Sequence, residues 1–136
     1  MRFLLHTNVL SDARRGVSVA LDEWLGAQVV ADLRISAVTV FEIEHGVRSM
    51  ERRDRRQGAA LRRWFDDVVR PTFTERVLAV DDAVAVAAAD LQVPDPMPLP
   101  DSLIAATARI HNLPLVTRNT ADFERTGVSL LNPWAG

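Results

Sequence analysis

The sequence predicts an α/β fold in which a mostly parallel sheet is flanked by helices on both faces. Three observations predict it. Short apolar runs recur at residues 2–5, 33–36, 77–80, 115–117 and 128–131, giving five strand candidates. The segments between them carry apolar residues at helical spacing, and strands alternating with helices form parallel sheets covered on both sides. Carboxylates and one histidine stand near the strand ends, where sheets of this kind gather their chemistry. A chain of 136 residues fits one domain, here taken as residues 1–136.

The elements follow in order. Arg2 to Leu5 is an apolar strand, and Thr7 or Asn8 is placed to cap the next helix, which Gly16 ends after Arg14 and Arg15. Ser18 caps a second helix with Leu21, Trp24, Leu25 and Val29 at helical spacing. Leu33 to Ser36 is a strand. Thr39 opens a third helix that carries Phe41, Glu42, His45 and Met50. A fourth, arginine-rich helix is expected over Gln57 to Val69, stopping before Pro71 because the residue ahead of a proline is driven out of the helical region. After the strand Val77 to Val80, Asp81 caps a helix over Ala83 to Leu91. VPDPMPLP, with four prolines in eight residues, reads as a stiff extended connector. Asp101 then opens the helix SLIAATARIHN. The strand Leu115 to Thr117, a loop or single turn RNTADF, and the strand Val128 to Leu131 complete the pattern, with Trp134 packing back on the body.

Composition bounds the function. Hydrophobic residues make up 48% and charged residues 25%, an ordinary globular balance. No apolar run approaches the roughly 18 residues of a membrane span, and the N-terminus breaks too early for a signal peptide, so a cytoplasmic protein is expected. Without cysteine there is no disulfide and no thiolate metal site. The net charge of −2 excludes a globally basic nucleic-acid binder. All 16 basic residues are arginine, however, and Arg48, Arg52, Arg53, Arg55, Arg56, Arg62 and Arg63 are clustered. That cluster is either a solvated helix face partnered by Glu51 and Asp54 or a phosphate-contacting rim.

The candidate site residues are Glu42, Asp101, Asp122 and His6. Each acid alone has a plain explanation: Asp101 as a helix cap, Asp122 as a turn cap, Glu42 as a surface residue. Their settings favour a joint role. Glu42 sits in VTVFEIEHG, and Asp101 opens an almost wholly apolar helix, so each carboxylate lies at a core edge and needs a cation or donor N–H groups. Glu44, Asp12, Asp81 and Asp82 are taken as surface or cap residues. His45 is a surface residue one turn after Glu42, within reach of the site rim. His111 suits the end of its helix.

The blocks LLHTNVLSD, SAVTVFEIEHGV, PLPDSLIAATA and LVTRNTADFERTGVSLLNPW resemble those of the PIN domain. More narrowly, the chain is similar to VapC-type ribonuclease toxins of bacterial toxin–antitoxin modules, in the FitB-like subgroup. The resemblance spans nearly the whole chain and implies a five-stranded parallel sheet in an α/β/α domain. It also implies an endoribonuclease dependent on magnesium or manganese (Mg2+ or Mn2+), homodimerisation, and a cognate VapB-type antitoxin partner. By motif, Glu42 matches the acid of E-(L/I)-x-x-G, Asp101 that of D-x-L-I-A-A, and Asp122 that of T-x-N-x-x-D-F, with Asn119 orienting the last loop and Thr7 in support. The first motif, D-T-N, reads His6-Thr7-Asn8, so His6 stands where a metal-binding aspartate is expected, with Asp101 as the other direct ligand. The proline connector also departs from a more usual glycine-containing turn.

In this chemistry a divalent cation neutralises an RNA phosphodiester and lowers the pKa of a bound water. A neutral imidazole suits zinc, manganese or nickel better than magnesium, so His6 is expected to weaken Mg2+ binding and cleavage. Alternatively His6 pairs with Asp101 or Asp122 and places its own charge among the acids. A non-cleaving module that binds antitoxin or RNA is the competing function, and a receiver-like phosphoacceptor a remote third. Trp24, Val47, Met50, Trp64 and Phe65 are core residues, or part of a dimer face or antitoxin groove.

Overall fold

The computed structural model describes residues 1–135. Five strands, β1 (Phe3–Leu5), β2 (Leu33–Ser36), β3 (Val77–Leu78), β4 (Leu115–Val116) and β5 (Leu130–Leu131), form one sheet in the order β3-β2-β1-β4-β5. Every neighbouring pair is parallel, with Leu4 opposite both Arg34 and Leu115. The helices are α1 (Thr7–Arg15), α2 (Val19–Gly26), α3 (Ala37–Arg53), α4 (Arg55–Trp64), α5 (Arg70–Thr72), α6 (Asp82–Leu91), α7 (Leu99–His111) and α8 (Thr120–Phe123). Among the described residues no helix is long and apolar enough to cross a membrane.

Strand alternation divides the core into two layers. Phe3, Leu5, Leu33, Ile35 and Val116 face one side, packed under Val9, Leu21, Val47 and Phe65. Leu4 and Leu115 face the other, under Val84, Ile104 and Phe123. On that second side the small residues Ala87 and Ala88 of α6 meet Ala105, Ala106 and Ala108 of α7, which lets the two helices lie close together. Val47 and Phe65 are therefore core, and Trp24 and Trp64 lie partly buried against the same layer.

Several boundaries differ from the sequence expectation for physical reasons. Neither Thr7 nor Asn8 caps α1. His6 holds the cap position without a side-chain bond, while Thr7 Oγ1 turns away to α3. Helix α3 opens at Ala37 rather than Thr39, because Ser36 ends β2 and accepts from Val38 N–H with its own hydroxyl. The arginine-rich helix starts at Arg55, capped by Asp54, and does not stop before Pro71. It widens into a π-helical turn over Phe65–Val69, where Arg70 N–H bonds Phe65 C=O. That turn shifts the carbonyl ladder around the proline ring and carries the helix past it. The proline connector ends at Pro98, so Leu99 and Pro100 already belong to α7, where a first-turn proline costs no hydrogen bond. Gln92 steadies the connector by donating to Ser102 Oγ and accepting from Met97 N–H. RNTADF contains the short helix α8.

Two polar clusters hold helices in place. Asp12, expected at the surface, is buried at 2% exposure. Its Oδ2 accepts from Arg118 Nη1 at 2.6 Å and from Trp134 Nε1 at 3.1 Å, so α1 holds both the β4–α8 loop and the turn at Trp134. Arg62 of α4 makes a two-pronged contact with Glu44 of α3, both N–O distances being 2.8 Å, and reaches Glu51 at 3.2 Å. Arg48 adds a bond to Glu44 at 2.6 Å. The two helices approach closely at Gly58, where a Cβ would stand 2.4 Å from the Glu51 Cα.

These clusters give two expectations. Asp12→Ala removes the acceptor of the half-exposed Arg118 and of the indole N–H and should lower unfolding stability by about 2 kcal/mol in a urea titration; a loss under about 0.5 kcal/mol would remove the structural role assigned to Asp12. The Arg62 guanidinium holds the Glu44 carboxyl at about 2, below its ordinary 4.5. As pH falls from 4.5 towards 2 the unfolded chain takes up the proton first, so this stabilisation is present above 4.5 and lost across that window. The urea midpoint of the wild type should therefore fall more steeply with acidification than that of Glu44→Gln; parallel slopes would contradict it.

Candidate active site

The carboxyl ends of the parallel strands place their next residues side by side. His6 follows β1, Ser36 ends β2, and Thr117 follows β4; all three are buried. The backbone reinforces this, with His6 N–H bonding Val116 C=O at 2.9 Å. The Thr117 hydroxyl is the meeting point. It accepts from Asn119 N–H at 3.0 Å and, more weakly, from Asn8 Nδ2 at 3.5 Å, and it lies 2.9 Å from His6 Nδ1. With its lone pairs taken by these two donors, the hydroxyl proton is directed at His6 Nδ1. That assignment leaves the ring N–H on Nε2, 3.5 Å from Asp101 Oδ1. The His6 ring also meets Phe123 edge to face, with centroids 5.2 Å apart.

Asp101 is not a cap. It stands in the first turn of α7, where the helix's positive end suits a carboxylate, and its side chain makes no capping bond. Glu42 goes elsewhere: its Oε1 accepts from Thr7 Oγ1 at 2.7 Å, and Thr7 in turn meets Thr39 Oγ1 at 2.9 Å. Asp122 is exposed and precedes the buried Phe123. The four sequence candidates thus divide. His6 and Asp101 form a pair, Glu42 is tied to Thr7 beside them, and Asp122 has no side-chain hydrogen bond recorded to any of them. Asn119 contributes through its backbone N–H. Asn8 Oδ1 is buried without a partner among the described residues.

The donor set does not fit a divalent cation as it stands. Both nitrogens of His6 are engaged, and among the described residues no group of three histidine, aspartate or glutamate side chains is arranged to hold a metal ion.

Two residues of the site escaped sequence reasoning. Thr117 was read only as the end of a strand, and Thr39 as a helix start; hydroxyls at those places carry no motif of their own. The arginine cluster is in part the solvated, carboxylate-partnered face: Arg48 and Arg62 pair with Glu44 and Glu51, and Asp54 caps α4. His45 stacks on the exposed ring of Phe41, with centroids 5.8 Å apart.

Comparison with known proteins agrees with this architecture. The PIN domain profile matches residues 3–128. The plasmid stability protein StbB of Pseudomonas syringae is 32% identical, with 96% of this chain and 97% of that protein covered. A VapC ribonuclease of Sinorhizobium fredii is also 32% identical, over 96% of each. The crystal structure of FitAcB from Neisseria gonorrhoeae superposes with a TM-score of 0.88 at 30% identity, covering 97% of this chain and 98% of that one. Sequence and fold together place this chain in the PIN-domain family.

Proposed function

We propose that this chain is the toxin of a type II toxin–antitoxin module, a PIN-domain endoribonuclease over residues 1–136 acting in the cytoplasm, with RNA cleavage held down by His6. The relatives named as a VapC ribonuclease and as FitB toxin, the latter 31% identical over 96% of this chain, support the reaction class. The observation that carries the impairment is the His6–Asp101 pair, with the imidazole fixed from behind by Thr117.

The residues take these roles. Glu42, Asp101 and Asp122 are the acids of the site, Glu42 being oriented by Thr7. Asp101, with an aspartate in place of His6, would hold Mg2+ or Mn2+, the ion that supplies charge neutralisation at the phosphodiester and an activated water in this reaction class. In this chain the imidazole engages Asp101 directly, and a set lacking one negative charge favours magnesium less. Asn119 and Thr117 fix the loop that carries Asp122. A competing reading, a PIN-fold module that binds antitoxin or RNA without cutting, draws on the same pair.

A direct cleavage assay separates the two readings. His6→Asp should raise Mg2+- or Mn2+-dependent cleavage of single-stranded RNA by about 100-fold or more, and Asp101→Asn in that background should abolish the gain. An unchanged, inactive His6→Asp protein would favour the non-cleaving module. Parent activity equal to that of His6→Asp would remove the inhibitory role of His6.

The partner follows from the solved relatives, which include toxin–antitoxin complexes such as that from Klebsiella pneumoniae, 27% identical with a TM-score of 0.68. A homodimer bound by a VapB-type antitoxin is the expected assembly. Light scattering of the chain alone and co-expressed with its antitoxin should give a dimer and a larger hetero-oligomer; a monomer unchanged by the antitoxin would contradict it.

A further inference from the structure

The opposite end of the sheet carries a second concave surface. A cleft of about 600 Å³ opens at the amino ends of the strands, far along the chain's topology from His6 and Thr117. Its apolar wall is formed by Leu78, Leu113, Pro114 and Val128. Its cations are Arg2, Arg34 and Arg109, with the His111 imidazole, the Ser129 hydroxyl and the Asn112 amide at the edge.

Arg34 is the residue the fold alone does not account for. It lies opposite Leu4, which lies opposite Leu115, on the face of the sheet that α7 covers, while Leu33 and Ile35 point the other way. A guanidinium therefore stands in a row whose neighbours are leucines. It donates to Ala31 C=O at 2.8 Å and makes no ion pair among the described residues. Burial, with Arg2 and Arg76 nearby, pushes its pKa below the ordinary arginine value, and only Asp32 acts in the other direction.

The other charges around the cleft are accounted for. Arg76 is spent on backbone carbonyls of Leu33 and Thr72. Arg109 pairs with Asp90 at 2.9 Å, and Asp32 lies 3.9 Å from the Met1 amine. The carbonyls at the end of α7 are closed by Asn112 N–H and Leu113 N–H, which blunts the negative pole of that helix. Arg2 and Arg34 are left facing the cleft without a carboxylate partner within ion-pair distance among the described residues.

We propose that this cleft binds a phosphorylated small molecule of nucleotide size, its phosphates on Arg2 and Arg34 and its sugar and base against the Leu113–Pro114 and Val128 wall. A bare anion would leave most of a space this size empty, and the volume falls in the range of small-molecule sites. Guanidiniums suit phosphate because two N–H groups meet two oxygens at once. The cleft shares no residue with the His6–Asp101 pair, so the proposal stands apart from the ribonuclease reading.

The test is titration of the full chain with adenosine diphosphate at low salt, followed by calorimetry and by amide chemical shifts. Saturable binding is expected, with competition by inorganic pyrophosphate and shifts at Arg34, Asn112 and Ser129 rather than at His6. Arg34→Gln should weaken it by about tenfold or more. Ser129→Glu, an exposed change that leaves Arg34 in place, should weaken it similarly by charge, with unaltered thermal unfolding. Absence of binding up to millimolar nucleotide, binding that survives Ser129→Glu, or shifts centred on His6 would overturn the proposal. So would a single-stranded RNA oligomer that binds these residues far more tightly than the nucleotide.

Discussion

The parallel sheet with β1 at its centre is the constraint on which the rest depends. Parallel strands must be covered on both faces, and here α1 to α4 lie on one side and α6 and α7 on the other. Because every strand runs the same way, the residues at or just past the carboxyl ends of β1, β2 and β4 emerge together at one end. These are His6, Ser36 and Thr117, three polar residues each below a tenth exposed. Buried polar groups must find partners, so His6 and Thr117 meet one another while the Ser36 hydroxyl accepts from Val38 N–H. Sheet direction thus decides which residues can do chemistry before any of them is chosen for its chemistry.

Within that set a single hydroxyl fixes a large part of the geometry. Thr117 ties the end of β1, the first turn of α1 and the loop ahead of α8 through contacts to His6, Asn8 and Asn119. The same hydroxyl holds the imidazole with its Nε2 3.5 Å from Asp101 Oδ1. An aspartate in place of His6 would have no N–H to offer and would place negative charge beside Asp101, a repulsion that invites a cation. Exchanging an acid for an imidazole therefore removes one negative charge from the pocket while the neighbouring carboxylates stay in place.

Much of the fold was legible because its signals are local. Ser18 and Asp81 cap the helices they were expected to cap, Gly16 closes α1 with φ of 61°, and the Leu33–Ser36 strand begins and ends as read. The misses came where tertiary contacts overrode local rules. Pro71 signals a stop, but a widened turn passes it. Thr7 resembles a cap, but its hydroxyl is drawn to Glu42 by a neighbouring helix. Asp12 looks like any polar residue on an amphipathic helix, and only the fold brings Arg118 and Trp134 to it. At the site, motif spacing located His6, Glu42 and Asp101, but not which carboxylate the histidine would choose. That choice is set by the position of α7 against the end of β1, a distance no sequence pattern encodes.

The Asp12 contacts also bear on how the chain comes to be folded. Asp12 is made early, whereas its partners are 106 and 122 residues later. On the ribosome, α1 would carry a carboxylate facing an apolar layer with only the exposed Arg15 of the same helix near it, at 3.8 Å, until the donors of residue 118 and then residue 134 have emerged. Local helices can form during that interval, but the seat of Asp12 cannot close. Contacts of such long range delay productive collapse and couple it to completion of the chain. A partly synthesised copy would thus lack both the ordered β4–α8 loop and the seated carboxylate that anchors it, so that this end of the sheet is assembled only after residue 134 has emerged.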